Sequence, residues 1–174
     1  MDCVRIKLIK ENDLKAKPIK GIADAARFIQ NLISDFDREL FVSVNVDNKN
    51  KPLNYSIISI GSLDSALVHP REVFKTAILS SACSVLFFHN HPSGNIEPSI
   101  QDITTTDRLV KAGNLLEICV LDHIIVTEDN YFSFAKEGLL AIENNTEYTS
   151  KLNTFDLQLT NKKISLEENQ MLGL

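Results

Sequence analysis

Residues 83–88, Cys-Ser-Val-Leu-Phe-Phe, form a continuous apolar run that breaks off at the polar stretch His89-Asn90-His91-Pro92-Ser93-Gly94. A strand apolar at both alternating sets of positions must be covered on both faces, which suits the centre of a sheet. The remaining periodicities supply the covering layers. Ile22, Ala25, Ala26, Ile29, Leu32, Ile33 and Phe36 recur at i, i+3, i+4, i+7 spacing and predict an amphipathic helix over 22–36. Pro70 suits the first position of a second helix with Val73, Phe74, Ala77 and Ile78 as its inner face. A third helix starts near Ser99 and stops before Gly113, a C′ residue. Strands are expected over 3–9, Glu39–Val46 and Leu53–Ile60, the last two joined by the turn 47–51. A further strand region spans Leu115–Val126, and Tyr131–Phe134 returns from the turn Glu128-Asp129-Asn130, while Gly61–His69 reads as loop. Strands and helices alternate, so the fold class expected is α/β, a mixed sheet with helices on both faces.

The chain has 174 residues, 44% of them hydrophobic, enough for one domain with a real core. We divide it into an N-terminal strand and helix (1–36) that join a core over 37–140, and a polar tail over 141–174. Net charge is −5. That balance argues against a general nucleic-acid binder, because phosphate contacts take clustered Lys and Arg; a local basic patch stays open. Cys3, Cys83 and Cys119 are odd in number and far apart, so a disulfide framework is not expected. Residues 1–13 carry charges throughout and have no apolar signal region, and no stretch approaches the roughly 18 apolar residues of a membrane helix. A cytoplasmic, reducing setting with no membrane partner is the expectation.

The chemistry concentrates in His89-Asn90-His91 and in Ser99-Ile100-Gln101-Asp102. Histidines at i and i+2 at the end of an extended strand point to the same side. Ser99 and Asp102, three apart on a helix, share a face. A strand–loop–helix unit can fold that helix start over the strand end. Two imidazole nitrogens and one carboxylate oxygen would then converge, with a fourth position left for water, the arrangement of catalytic zinc. Each residue also has a plainer role: a hydrogen-bonded loop histidine, a helix capping box for Ser99 and Asp102, ordinary turn residues in Pro92 and Gly94. Their joint spacing, H-x-H-x7-S-x2-D, is what single roles do not explain. Asn90 points the other way on the strand and takes a structural role.

The literal string HNH does not make an HNH nuclease, whose residues are spread over a ββα unit. Zinc deaminases need H-x-E with P-C-x-x-C, and metalloproteases of another kind need H-E-x-x-H; neither pattern is present.

The spacing resembles the JAMM/MPN+ (JAB) metalloprotease motif, an upstream Glu followed by H-x-H-x7-S-x2-D. More narrowly, HNHPSG together with VHPREVF (68–74) and LDHIIV (121–126) is similar to the bacterial RadC family, over about residues 37–136. The resemblance implies a JAB1/MPN, cytidine-deaminase-like α/β/α sandwich. It implies that His89, His91 and Asp102 are zinc ligands, that Ser99 stabilises the tetrahedral oxyanion, and that Glu39, at the start of RELFVSV, is the general base. It implies hydrolysis of an amide or isopeptide bond, with a peptide or isopeptide substrate as partner. Proteins of the RadC type usually carry an N-terminal helix-hairpin-helix associated with DNA; residues 1–36 are too short to supply it. The plain alternative for Glu39 is a surface carboxylate beside Arg38.

Other polar residues divide similarly. Asp122-His123 can support the site or simply be satisfied in a strand. His69 belongs to the loop before Pro70, and Arg71-Glu72 to a solvated pair. Two rival functions remain beside the hydrolase: a non-catalytic interaction module, which generally loses ligands that this chain keeps, and a RadC-like DNA-repair factor. Open strand edges make a homodimer a further partner to expect.

Overall fold

A computed structural model of the protein describes residues 8–9, 17–33, 36–61 and 68–140. The elements are α1 (Ile22–Ile33), β1 (Leu40–Val46), β2 (Pro52–Ile60), α2 (Pro70–Leu79), β3 (Ser84–Asn90), α3 (Ile100–Leu115), β4 (Cys119–Val126) and β5 (Tyr131–Ser133). The strands form one mixed sheet in the order β2-β1-β3-β4-β5. β1 runs antiparallel to β2 and to β3, β4 antiparallel to β5, and among the described residues only β3–β4 is parallel. A parallel pair cannot be closed by a tight turn and needs a crossover, which α3 provides.

The apolar run predicted to be central is central from Ser84 onward, with every residue of β3 buried, whereas Cys83 lies before the strand and is exposed. Its two sides face different helices. Leu86 and Phe88 join Leu40, Val42, Val44 and Val46 of β1 and Ala25, Ala26, Ile29 and Ile33 of α1 in one core. Val85 and Phe87 join Phe41, Phe74 and Ala77 and the α3 residues Leu109 and Val110 in the other. The period-2 alternation of a strand therefore sorts β3 between α1 on one face and α2 with α3 on the opposite face. This is a mixed α/β architecture with helices on both faces of the sheet, as expected from the alternation of strands and helices.

The described residues also correct several expectations. The α1 stripe ends at Ile33, and Phe36 lies outside the helix with 43% of its surface exposed. The spacing carried the pattern one turn too far. Ile78 is 55% exposed, because α2 buries only Val73, Phe74 and Ala77. Gly113 does not terminate α3 but lies inside it. The helix ends at Leu116, and the left-handed residue that follows is Glu117 (φ 56°). The amides of Ile118 and Glu117 donate to the carbonyls of Gly113 and Asn114, the paired bonds of a Schellman ending. Gly113 is required for a different reason: a Cβ there would stand 2.6 Å from the Ile118 carbonyl oxygen and 3.2 Å from the Phe74 ring. Of the expected strand over 3–9, Leu8 and Ile9 are exposed and not in a strand, while its residues 3–7, residues 62–67 of the expected loop and the tail over 141–174 lie outside the described residues. Among the described residues no helix is long and apolar enough to cross a membrane.

Gly113→Ala tests this close approach. Higher helix propensity would stabilise by about 1 kcal/mol. The clash with a backbone oxygen, which cannot rotate away, costs about 1–3 kcal/mol. Urea melts should therefore show a lower midpoint with an unchanged slope, and a raised midpoint would show that the contact is loose.

Candidate metal centre

β3 delivers the first of the candidate ligands because alternation continues past Phe87: His89 stands on the α2/α3 face and Asn90 on the α1 face. His91 lies one residue beyond the strand, yet its amide donates to the Val126 carbonyl at 3.0 Å, continuing the β3–β4 ladder. The chain then turns. The Gly94 amide donates to the His91 carbonyl, and Gly94 adopts φ 78°, a left-handed conformation for which glycine is suited. The His91 Nδ1 reaches the Asn95 carbonyl at 2.5 Å. A carbonyl can only accept, so Nδ1 carries a proton, and in the neutral ring Nε2 is the nitrogen left with the lone pair.

α3 returns the third ligand. Ser99 is its N-cap: the Asp102 amide donates to Ser99 Oγ at 3.1 Å, and the Ser99 amide donates to Asp102 Oδ2 at 2.7 Å. The plainer role foreseen for this pair, a capping box, is thus present, and it also orients Asp102. The Ser99 hydroxyl donates to the same Oδ2 at 2.6 Å, so that oxygen is fully engaged. The other oxygen, Oδ1, is buried and has no hydrogen-bond partner.

Around that orphaned oxygen the group closes. His89 Nε2 lies 3.3 Å from Asp102 Oδ1 and 2.9 Å from His91 Nε2, and the ligand atoms of the three residues all fall within 4.8 Å of one another. His89 and Asp102 are buried, and the His91 side chain is 10% exposed, so the cluster opens to solvent on the His91 side. Burial drives the His89 pKa down from 6.5 to about 4; Asp102 pulls it up and His91 pushes it down further. His89 is neutral near pH 7, so its contact with Asp102 is not an ion pair. A carboxylate oxygen buried without a donor, facing the ring nitrogens of two histidines, fits a cation: this group can hold a metal ion.

Asn90 fills the structural role expected of it. Its Oδ1 accepts from the Leu40 amide at 2.7 Å, and its Nδ2 donates to the Arg38 carbonyl at 3.1 Å. These bonds pin the peptide units on either side of Glu39. The β1–β3 register ends with Phe41 opposite His89, and Glu39 lies two residues before that pair. Glu39 is half-buried, its carbonyl accepts from the Gly61 amide at 2.8 Å, and it lies just before β1 rather than at its first residue. It is not one of the three clustered ligands. Arg38 pairs instead with Asp37, at 2.9 Å.

Asp122 and His123 divide. Asp122 binds the Ser133 hydroxyl at 2.6 Å and the Ala135 amide at 2.9 Å, holding the return after β5. His123 is buried, with Nε2 2.8 Å from His89 Nδ1 and Nδ1 2.6 Å from Thr106 Oγ1. Thr106 escaped the motif reading, although it lies one turn after Asp102 on the same helix face. The Asn95 carbonyl had no sequence signal, being backbone. His69 is the N-cap of α2 without a side-chain cap bond, and Arg71 and Glu72 form an exposed pair at 3.5 Å.

The family model described as a RadC-like JAB domain matches residues 19–139. Among similar proteins, a UPF0758 protein of Rubrobacter xylanophilus is 48% identical over 122 residues, which is 70% of this chain and 53% of that protein. A UPF0758 protein of Chlorobaculum parvum is 41% identical over 136 residues, 78% of this chain and 60% of its own. A third, from Methanosarcina barkeri, is 48% identical over 103 residues, 59% and 45% of the two chains. The chain spans about half the length of the curated relatives it matches.

The neutral imidazoles predict a pH dependence for metal-stripped protein. Burial holds His89 near 4 and His123 well below 6.5. Below pH 6.5 the unfolded chain takes up protons that the folded chain refuses. The stabilisation is therefore fully present above pH 6.5 and is lost as pH falls toward 4, by up to about 1.4 kcal/mol per pH unit for each histidine. Burial raises the Asp122 pKa, which works in the opposite direction above 3.8 and offsets part of the loss. Urea melts with chelator present should give a lower midpoint at about pH 5 than at about pH 7; equal midpoints would contradict neutral, buried imidazoles.

Proposed function

The chain belongs to the RadC-like JAB domain family, and on that premise we propose that it is a zinc-dependent hydrolase of amide or isopeptide bonds, acting on a peptide or isopeptide-linked substrate. The observation that carries the reading is the unpartnered Asp102 Oδ1 buried against His89 and His91. Two imidazoles and one carboxylate are the donor set of a three-ligand zinc site with a fourth position left open. What zinc supplies at such a site is Lewis acidity, bringing a water's pKa to about 7 and polarising a carbonyl.

The chain's own residues do the rest. Glu39, two residues before the Phe41–His89 pair, accepts a proton from the water as its oxygen bonds to the carbonyl carbon, and returns that proton to the amine nitrogen as the resulting tetrahedral intermediate collapses and the C–N bond breaks. Asn90 keeps the backbone around Glu39 in place through its bonds to Arg38 and Leu40. Ser99 in the resting protein gives its hydroxyl proton to Asp102 Oδ2. To assist the reaction, that hydroxyl swings its proton toward the oxygen of the tetrahedral intermediate. Donors at such positions typically contribute about 3–4 kcal/mol. The Asp102 Oδ2 keeps its bond from the Ser99 amide throughout, so the carboxylate holds its orientation.

Two variants separate binding from chemistry. Protein purified without added metal should carry zinc, and His89→Ala should carry almost none. Glu39→Gln should retain metal and lose turnover of a peptide or isopeptide substrate by a factor on the order of 10²–10⁴. Undiminished turnover in metal-loaded Glu39→Gln would remove Glu39 as the base. Wild-type protein that takes up no metal would end the hydrolase reading altogether.

A further inference from the structure

His89 has two ring nitrogens and, when neutral, one proton. With the proton on Nε2 it would donate to His91 Nε2 at 2.9 Å, and the centre of the ligand trio would be occupied by hydrogen. With the proton on Nδ1, the Nε2 lone pair is free for a cation. Nothing in His89 itself chooses between these states, but the groups behind it do.

His89 Nδ1 faces His123 Nε2 at 2.8 Å, His123 Nδ1 faces Thr106 Oγ1 at 2.6 Å, and Thr106 Oγ1 lies 2.5 Å from the Asp102 backbone carbonyl. Such a row of single donors and single acceptors can be polarised in only two directions. The carbonyl decides. It can only accept, so at that distance the Thr106 hydroxyl must donate to it; the opposite arrangement would press two oxygen lone pairs together. Thr106 Oγ1 then accepts from His123 Nδ1–H. His123 Nε2 is left as a lone pair and accepts from His89 Nδ1–H. His89 Nε2 is consequently bare, facing His91 Nε2 and Asp102 Oδ1.

His123 is held in this orientation by aromatic rings. Phe134 stacks on it at 4.8 Å between centroids, Phe41 meets it edge-on at 5.3 Å and Phe87 at 6.4 Å. With both its nitrogens already opposite partners, one face covered by Phe134 and Phe41 and Phe87 packed against it, the ring is held in place. Thr106 stands one turn along α3 from Asp102, so the helix that carries a ligand also anchors the far end of the row.

From this we infer that His123 and Thr106 are positioning residues: a one-way hydrogen-bond relay, Asp102 carbonyl ← Thr106 ← His123 ← His89, keeps His89 in the tautomer that leaves Nε2 open to a metal. The inference rests on the metal-centre reading, because it gives the open lone pair its purpose.

Long-range ¹H–¹⁵N correlation spectra of metal-stripped protein test it directly. The expected result is a protonated Nδ1 and a bare Nε2 on both His89 and His123. A protonated Nε2 on either ring overturns the relay, and this measurement needs no variant. Thr106→Val removes the hydroxyl at nearly constant volume. It should let both tautomers of His89 appear and weaken zinc binding by about 10-fold or more, measured against a chromophoric chelator. Thr106→Ser should restore both the spectrum and the affinity. A folded Thr106→Val protein with wild-type tautomers and affinity, or a Thr106→Ser protein that restores neither, overturns the proposal. Wild-type tautomers combined with no zinc uptake would defeat the metal centre and leave the relay standing; zinc uptake by protein whose free His89 carries its proton on Nε2 would do the reverse.

Discussion

The structure depends on β3 being buried on both faces. A strand in that position can be apolar at successive residues, as Val85 to Phe88 are, and it then forces every polar group that follows to find a partner inside the protein. Three polar side chains follow at once. The period of two sends Asn90 to the α1 face, where it ties down the start of β1, and sends His89 to the face that α3 covers. The candidate centre is thus a consequence of where an apolar strand stops: the burial that makes the strand central also desolvates His89 and keeps its imidazole neutral.

The parallel pairing of β3 with β4 shapes the rest. Because β3 and β4 run the same way, the chain must cross over between them, and α3 begins just beyond the end of β3. Its N-terminus is therefore delivered to the strand end that carries the histidines. The capping box that starts α3 consumes one oxygen of Asp102 and leaves the other facing His89. Helix initiation and ligand orientation are here the same set of bonds. The plainer reading of Ser99 and Asp102 and the metal reading do not compete, since the carboxylate has two oxygens and each takes one role.

Elements were legible in the sequence where one local pattern dominated. The hairpin of β1 and β2, the Pro70 start of α2, the start of α3 and the central strand all follow from periodicity, turn residues and caps within a few positions. The misplacements share one cause. Phe36 and Ile78 continue a helical stripe, but what is buried depends on how far the neighbouring layer reaches. Gly113 has the look of a helix terminator, whereas the left-handed position fell to Glu117 and the glycine serves a close approach to Ile118 from the following chain.

The sequence alone determined the candidate ligands and that they could meet around a metal ion, because His89, His91 and Asp102 lie within one strand–loop–helix unit whose geometry is local. The bonds that hold the backbone on either side of Glu39 came only with the pairing of β1 against β3, about fifty residues apart in the chain. The row behind His89 likewise needed β4 to lie parallel to β3 and α3 to fold across both, since a hydrogen bond has a direction only once donor and acceptor have met. Residue type and spacing specify which atoms can bind; contacts between distant segments decide which proton sits on which nitrogen.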